Sequence, residues 1–297
     1  MAIAIAIVGA GAVAQALGRL LLSRRQDVVA LASRSRAHAE QAAAFIGPSV
    51  RPVACPDVPG VATHVLIAVA DEAVTPVADA LAAAGMRTGV ALHTCGAKGP
   101  AALAPLARAG VECGVLHPLQ TVTTPEQGTR SLPGVSFGIC GDPMALAWAE
   151  ELVAILSGRP LRVEADRMSF YHAGAVMAGN ASIAVLDAAV ALMAHAGIEP
   201  GTALAALGPL ARTSVDNALG GGPVAALTGP IARGDAATVA AHMNAMREVP
   251  GSVKDLYQAA SRHLMGMARQ RGLSEAKLEA IEALVSRLES EVSAFEP

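Results

Sequence analysis

Aromatic residues make up only 2% of this 297-residue chain. A stacking platform for single-stranded nucleic acid needs several exposed rings, so the composition argues against that class. Charge is scarce too. Charged residues are 16% and the formal net charge is −3, which gives no basic footprint for nucleic acid or an anionic membrane surface. The four cysteines, Cys55, Cys95, Cys113 and Cys140, form no C-x-x-C pair and no zinc-ligand spacing. No metal site is therefore expected, and the thiols read as the reduced cysteines of a cytoplasmic protein. No membrane span is expected either. The apolar first 22 residues are interrupted by Gly9, Gly11, Gln15 and Arg19 and lack a basic leader, which suits a strand and helix better than a signal segment.

Small apolar side chains are abundant instead. Hydrophobic residues reach 53% and there are 29 glycines, which rules out intrinsic disorder and suggests helices packed closely on one another and on a sheet. The length favours about two domains.

Residues 3–8 are β-branched and alanine, a short buried strand. Gly9-Ala10-Gly11-Ala12-Val13-Ala14 follows and opens a helical pattern. This is G-x-G-x-x-A, the alanine form of the dinucleotide fingerprint. Gly9 allows the tight turn, Gly11 lets the backbone approach a pyrophosphate, and Ala14 lets the helix lie on the sheet. The pyrophosphate would sit at the helix N-terminus, where free N–H groups favour anions. A second strand over 27–32 ends in Ser33-Arg34-Ser35-Arg36. An NAD site places an acid near this point to bind the ribose 2′-hydroxyl. Hydroxyls and arginines stand there instead, suited to a 2′-phosphate, so NADP(H) is the expected cofactor.

The alternation of strand and helix continues. Strands are expected near 65–69, 89–92, 111–116, 135–140 and 161–163, with Asp71 capping a helix. Ligands bind beyond the carboxyl ends of strands in an open α/β sheet. That places Ala70, Thr94 and Cys95 among the cofactor-binding candidates. His93 and His117 fall at successive strand ends, and Gln120 is a substrate-binding candidate.

After residue 163 the pattern becomes helical, so the expected boundary separates a Rossmann-like domain at 1–165 from a helical domain at 166–297. Asp166 is the expected cap of one long buried helix reaching about His195. At about 100° per residue, Asn180 lies about 80° from His172, and Ser169 and Asp187 about 60°. Such a helix is apolar all round except for one polar stripe, and His172 and Asn180 are its candidates for a cleft between domains. Further on, Thr228 and Arg233 precede a helix capped by Asp235, and could hold a substrate carboxylate or form an ordinary surface turn.

Taken together, the glycine fingerprint, His93-Thr94-Cys95-Gly96-Ala97, Leu116-His117-Pro118-Leu119-Gln120-Thr121, Tyr171-His172-Ala173…Asn180 and Leu227-Thr228-Gly229-Pro230-Ile231-x-Arg233-Gly234-Asp235 resemble one family over essentially the whole chain. Its members are assigned as NADP-dependent oxidoreductases, with a Rossmann-like domain followed by a helical domain of unknown function. The family is similar to the 6-phosphogluconate dehydrogenase-like group, which includes ketopantoate reductases and pyrroline-5-carboxylate reductases. The resemblance implies an α/β fold of doubly wound type with an all-α second domain. It also implies a homodimer through the helical domain, and reduction of a small 2-oxo acid, ketopantoate first, or an imine. Related groups place a catalytic lysine one helical turn before the asparagine; here Val176 occupies that position. The proton must then come from elsewhere, and His117 and His172 are the candidates. The missing lysine also leaves open a non-catalytic NADP(H)-sensing dimer. The His117-Pro118 pair resembles prephenate dehydrogenases, which leaves open an oxidative enzyme.

Overall fold

A computed structural model describes residues 3–292. The chain forms two compact units, Met1–Gly179 and Asn180–Pro297.

The first unit alternates strand and helix. Its elements are β1 (Ala4–Val8), α1 (Ala12–Ser23), β2 (Asp27–Ala32), α2 (Arg36–Ile46), β3 (Arg51–Val53), β4 (His64–Ile67), α3 (Val74–Ala83), β5 (Val90–His93), α4 (Ala104–Arg108), β6 (Glu112–Pro118), α5 (Pro125–Ser131), β7 (Ser136–Gly141), α6 (Pro143–Ile155), β8 (Arg159–Arg162) and α7 (Met168–Ala178). The strands form one sheet in the order β3-β2-β1-β4-β5-β6-β7-β8. Pairing is parallel except between β6 and β7. Both faces of the central strands are buried, as the unbroken apolar runs require. One face packs Ile7, Leu17, Leu66, Phe137 and Trp148 together; the other packs Ile67, Leu81, Leu103 and Leu106. Strand order reverses beside β1 and β4, and such a switch point opens a crevice at the carboxyl ends.

The second unit is helical: α8 (Asn180–His195), α9 (Pro200–Gly221), α10 (Pro223–Ala226), α11 (Pro230–Arg233), α12 (Ala236–Ala245), α13 (Gly251–Gln270) and α14 (Glu275–Val292). Its core gathers Val239, Met243, Met265, Leu278, Ile281 and Val285. Asp235 caps α12, its side chain accepting from the Thr238 N–H at 3.0 Å, as the sequence predicts.

The two compact units divide at 179/180, with α7 in the first. Three expectations for the segment after residue 165 are corrected. The single long helix is broken at Gly179 (φ −96, ψ −77) into α7 and α8. The stretch is also not buried: α8 has no buried residue and α9 only Ala203. An apolar helix surface finds too few partners within one chain here. By length and composition alone, Ala165–His195 would also suffice to cross a membrane. Asp166 does not cap α7 but pairs with Arg167 at 3.5 Å.

Candidate functional site

The crevice at the switch point is a cleft of about 710 Å³. Gly9, Ala10, Gly11, Ala12 and Val13 form its floor after β1, and Ser33, Arg34, Ala70 and Thr94 line it from the ends of β2, β4 and β5. Gly9 has φ +128, and a Cβ there would stand 2.0 Å from the Ala68 carbonyl oxygen. Only glycine fits this turn between two neighbouring strands. At Gly11 a Cβ would meet nothing within 4 Å, so the bare backbone faces open space. Gly11 is also the N-cap of α1; it offers no side-chain cap, and the first turn holds no acid. The orphan N–H groups of a 12-residue helix thus meet the cleft with no acid in the helix's own first turn. Gln15 braces the loop, its side-chain N–H₂ donating to the Ala10 carbonyl at 2.8 Å.

The other three residues of the predicted cofactor set have packing or capping roles. Ala14 is fully buried on the sheet-facing side of α1, where a small residue lets the helix lie on the sheet. Ser35 caps α2 by accepting from the His38 N–H. Cys95 is buried, and burial raises its thiol pKa. Sequence reasoning missed His38, Cys55, Asp71, Glu72 and Val122, which also line the cleft. His38 could have been found: it lies in the first turn of the helix that follows Arg34. Asp71 was expected as a cap, but no side-chain cap forms there. It lies at the end of β4, with its carboxylate against the Cys95 thiol.

A second group of side chains sits at the carboxyl end of β6. His117 Nδ1 lies 2.9 Å from the Tyr171 hydroxyl, and the His117 and His172 rings stand edge to face with centroids 5.7 Å apart. Gly96, two residues past the cleft-lining Thr94, makes room for both rings. A Cβ on it would lie 2.6 Å from His172 and 2.7 Å from His117 Nε2. Burial, reinforced by the neighbouring His172, lowers the His117 pKa to about 4, against a smaller upward pull from Asp71. His117 is therefore a neutral imidazole at physiological pH. His93 is fully buried with both nitrogens used. Its Nδ1 accepts from the Cys95 N–H at 3.2 Å, and Nε2 donates to the Gly99 carbonyl at 3.1 Å. It holds the 93–99 loop and has no nitrogen left for chemistry.

Gln120 is exposed and closes its own turn by accepting from the Thr121 N–H at 2.9 Å. In the second unit, Asn180, Thr228 and Arg233 are exposed, and Arg233 pairs loosely with Asp235 at 3.9 Å.

By fold the chain is a two-part α/β protein of the Rossmann-like class. Residues 1–118 match the Rossmann-like domain and residues 135–264 match a domain of unknown function, DUF2520; the chain joins the two. No curated protein sequence matches it. Among solved structures, it resembles a Bacteroides fragilis protein provisionally assigned as an NADP oxidoreductase. The identity is 20% and the TM-score 0.71, over 89% of this chain and 98% of the other. An Aspergillus terreus reductive aminase in complex with NADPH is 18% identical, with a TM-score of 0.58 over 98% and 95% of the two chains. Pyrroline carboxylate reductase of Plasmodium falciparum with NADP bound is 12% identical, with a TM-score of 0.58 over 90% and 98%.

Proposed function

We propose that this protein is an NADP(H)-dependent oxidoreductase that reduces a small 2-oxo acid, ketopantoate-like, or an imine. The observation that carries the proposal is the cleft. An uncapped, acid-free helix N-terminus, a backbone bare at Gly11, and Ser33 with Arg34 where an NAD site would hold a carboxylate all face one volume. These residues fit a dinucleotide with a 2′-phosphate. Gly9 to Val13 would take the pyrophosphate, and Ser33 and Arg34 the 2′-phosphate. When bound, the reduced nicotinamide supplies a hydride. The three solved structures support this reading, since one is assigned to NADP chemistry and two hold NADPH or NADP.

The chain's own part is to position the acceptor and furnish a proton, with His117 and its neighbours as that group. Asn180, Thr228 and Arg233 are the proposed substrate-facing residues of the second unit. We also propose a soluble cytoplasmic homodimer, in which a second copy covers α8 and α9. The four free cysteines accord with a reducing compartment.

The test is a thermal-shift comparison of NADPH and NADH, followed by an NADPH-oxidation screen over 2-oxo acids, including ketopantoate, and cyclic imines. A ligand at 100 times its Kd stabilises the native state by about 2.7 kcal/mol, so NADPH should raise Tm well above the value reached with equal NADH. Equal shifts would overturn the NADP(H) assignment. NADPH binding without turnover on any acceptor would leave the non-catalytic sensor, which Val176 at the lysine position favours.

A further inference from the structure

Neutral His117 cannot act as a resident imidazolium acid, so the source of the proton has to be found among its neighbours. Tyr171 is one turn into α7, yet its ring lies over Gly138 of β7, the residue paired with His117 of β6. A Cβ at Gly138 would stand 2.5 Å from Tyr171 Cζ and 2.6 Å from its hydroxyl oxygen. Glycine at this strand position thus admits the phenol beside the imidazole. The Gly138 backbone beside the phenol draws down a pKa that burial raises. The hydroxyl lies 2.9 Å from His117 Nδ1 and can donate its proton there. With the hydroxyl donating to Nδ1, His117 is the Nε2–H tautomer. That nitrogen packs against Gly96, in the loop that also brings Thr94 to the cleft.

We propose that Tyr171 and His117 form a proton relay, in which the neutral His117 gives its Nε2 proton to the reduced acceptor while taking the Tyr171 proton at Nδ1. The proposal rests on the reductase reading for its acceptor, but the geometry of the relay is independent of it. The hydride comes from a bound reduced nicotinamide, which is oxidised as the acceptor carbon is reduced. The Nε2–H bond breaks as a bond to hydrogen forms on the acceptor's oxygen or nitrogen. The Tyr171 O–H bond breaks as Nδ1–H forms, so the imidazole stays neutral throughout. The phenolate left behind regains a proton from water. Tyr171 acts through His117 and is a positioning and supplying residue; His117 is the one that meets the acceptor. The other titratable groups facing His117 are His172 of α7, His93 of β5 and Asp71 after β4.

The first test needs no acceptor. Nitrogen-15 NMR of histidine-labelled wild-type protein should show His117 as the Nε2–H tautomer, and Tyr171→Phe should convert it to a mixture. A Nδ1–H tautomer in the wild type would overturn the relay whatever the enzyme's substrate. The second test uses an acceptor found by the screen. General acid–base groups contribute about 10²–10⁴-fold, so Tyr171→Phe should lower kcat by at least tenfold with NADPH Kd unchanged. A proton inventory in mixed H₂O and D₂O should be bowed in the wild type and straight in Tyr171→Phe. Unchanged kcat, or a straight inventory in both, would overturn the relay. Wild-type protein that fails to bind NADPH would count against the reductase reading, with the tautomer result still deciding the relay. If Tyr171→Phe does not fold, the wild-type tautomer and inventory decide the matter.

Discussion

His117 shows what one side chain's surroundings do to its chemistry. Its pKa is lowered to about 4, first by burial and then by His172. The unfolded chain returns it to an ordinary value near 6.5. Above about pH 6.5 neither state binds the proton and the group is silent. Between about 6.5 and 4 the unfolded state binds more protons, so stability falls with falling pH, by at most about 1.4 kcal/mol per unit. Below about pH 4 both states are protonated and the loss is complete. His93 and His64 are also lowered by burial and act in the same direction. The expectation is that His117→Asn lessens the slope of urea-derived stability between pH 6.5 and 4 without abolishing it. An unchanged slope would mean that His117 is not held neutral. At this scale the sequence was partly legible. His117 and His172 could be named from their strand end and helix stripe. Tyr171 could not be given its role, because its hydrogen bond depends on α7 returning to β6 and β7 across 54 residues of chain.

Elements were legible where local chemistry decides them. The β1–α1 turn reads from its glycines alone, and β2 forms over the predicted residues 27–32. The short edge strand β3, with Pro52 at its centre, carries too little pattern to be read. The break at Gly179 was equally hidden, since a glycine inside an apolar helical pattern is usually tolerated. The turn invites a paired substitution. Gly9→Ala combines a positive φ with a Cβ 2.0 Å from the Ala68 oxygen, and should cost about 2–4 kcal/mol. Gly11→Ala has an extended backbone (φ −75, ψ 176) and open space, so its stability should change by no more than about 0.5 kcal/mol. Its NADPH affinity should nevertheless fall at least tenfold, because the Cβ would occupy the path proposed for the pyrophosphate. Urea denaturation and NADPH titration of both variants check this. A Gly11→Ala protein that binds NADPH normally would remove the pyrophosphate from the floor of the cleft.

At the scale of the whole molecule, alanine-rich composition correctly indicated close packing in the first unit but concealed an unpartnered surface in the second. A helix apolar on every side predicts burial, and one chain does not provide it. Ile183 is 66% exposed on α8, and Leu210 and Leu219 are 64% and 79% exposed on α9. Exposed apolar surface on neighbouring helices marks an interaction site, and a stable interface needs about 800 Å² from each partner. A symmetric pair uses the same patch twice, so one substitution strikes both sides of the contact. Sedimentation of the wild type should give twice the 29.8 kDa chain mass. Ile183→Glu and Leu210→Glu should each yield monomer at micromolar concentration, since a glutamate buried without a partner is strongly disfavoured. Dimers that persist in both variants would place the interface on another face. Wild-type protein that sediments as a monomer and partitions into neutral phosphatidylcholine vesicles would assign the apolar helices to lipid rather than to a second copy.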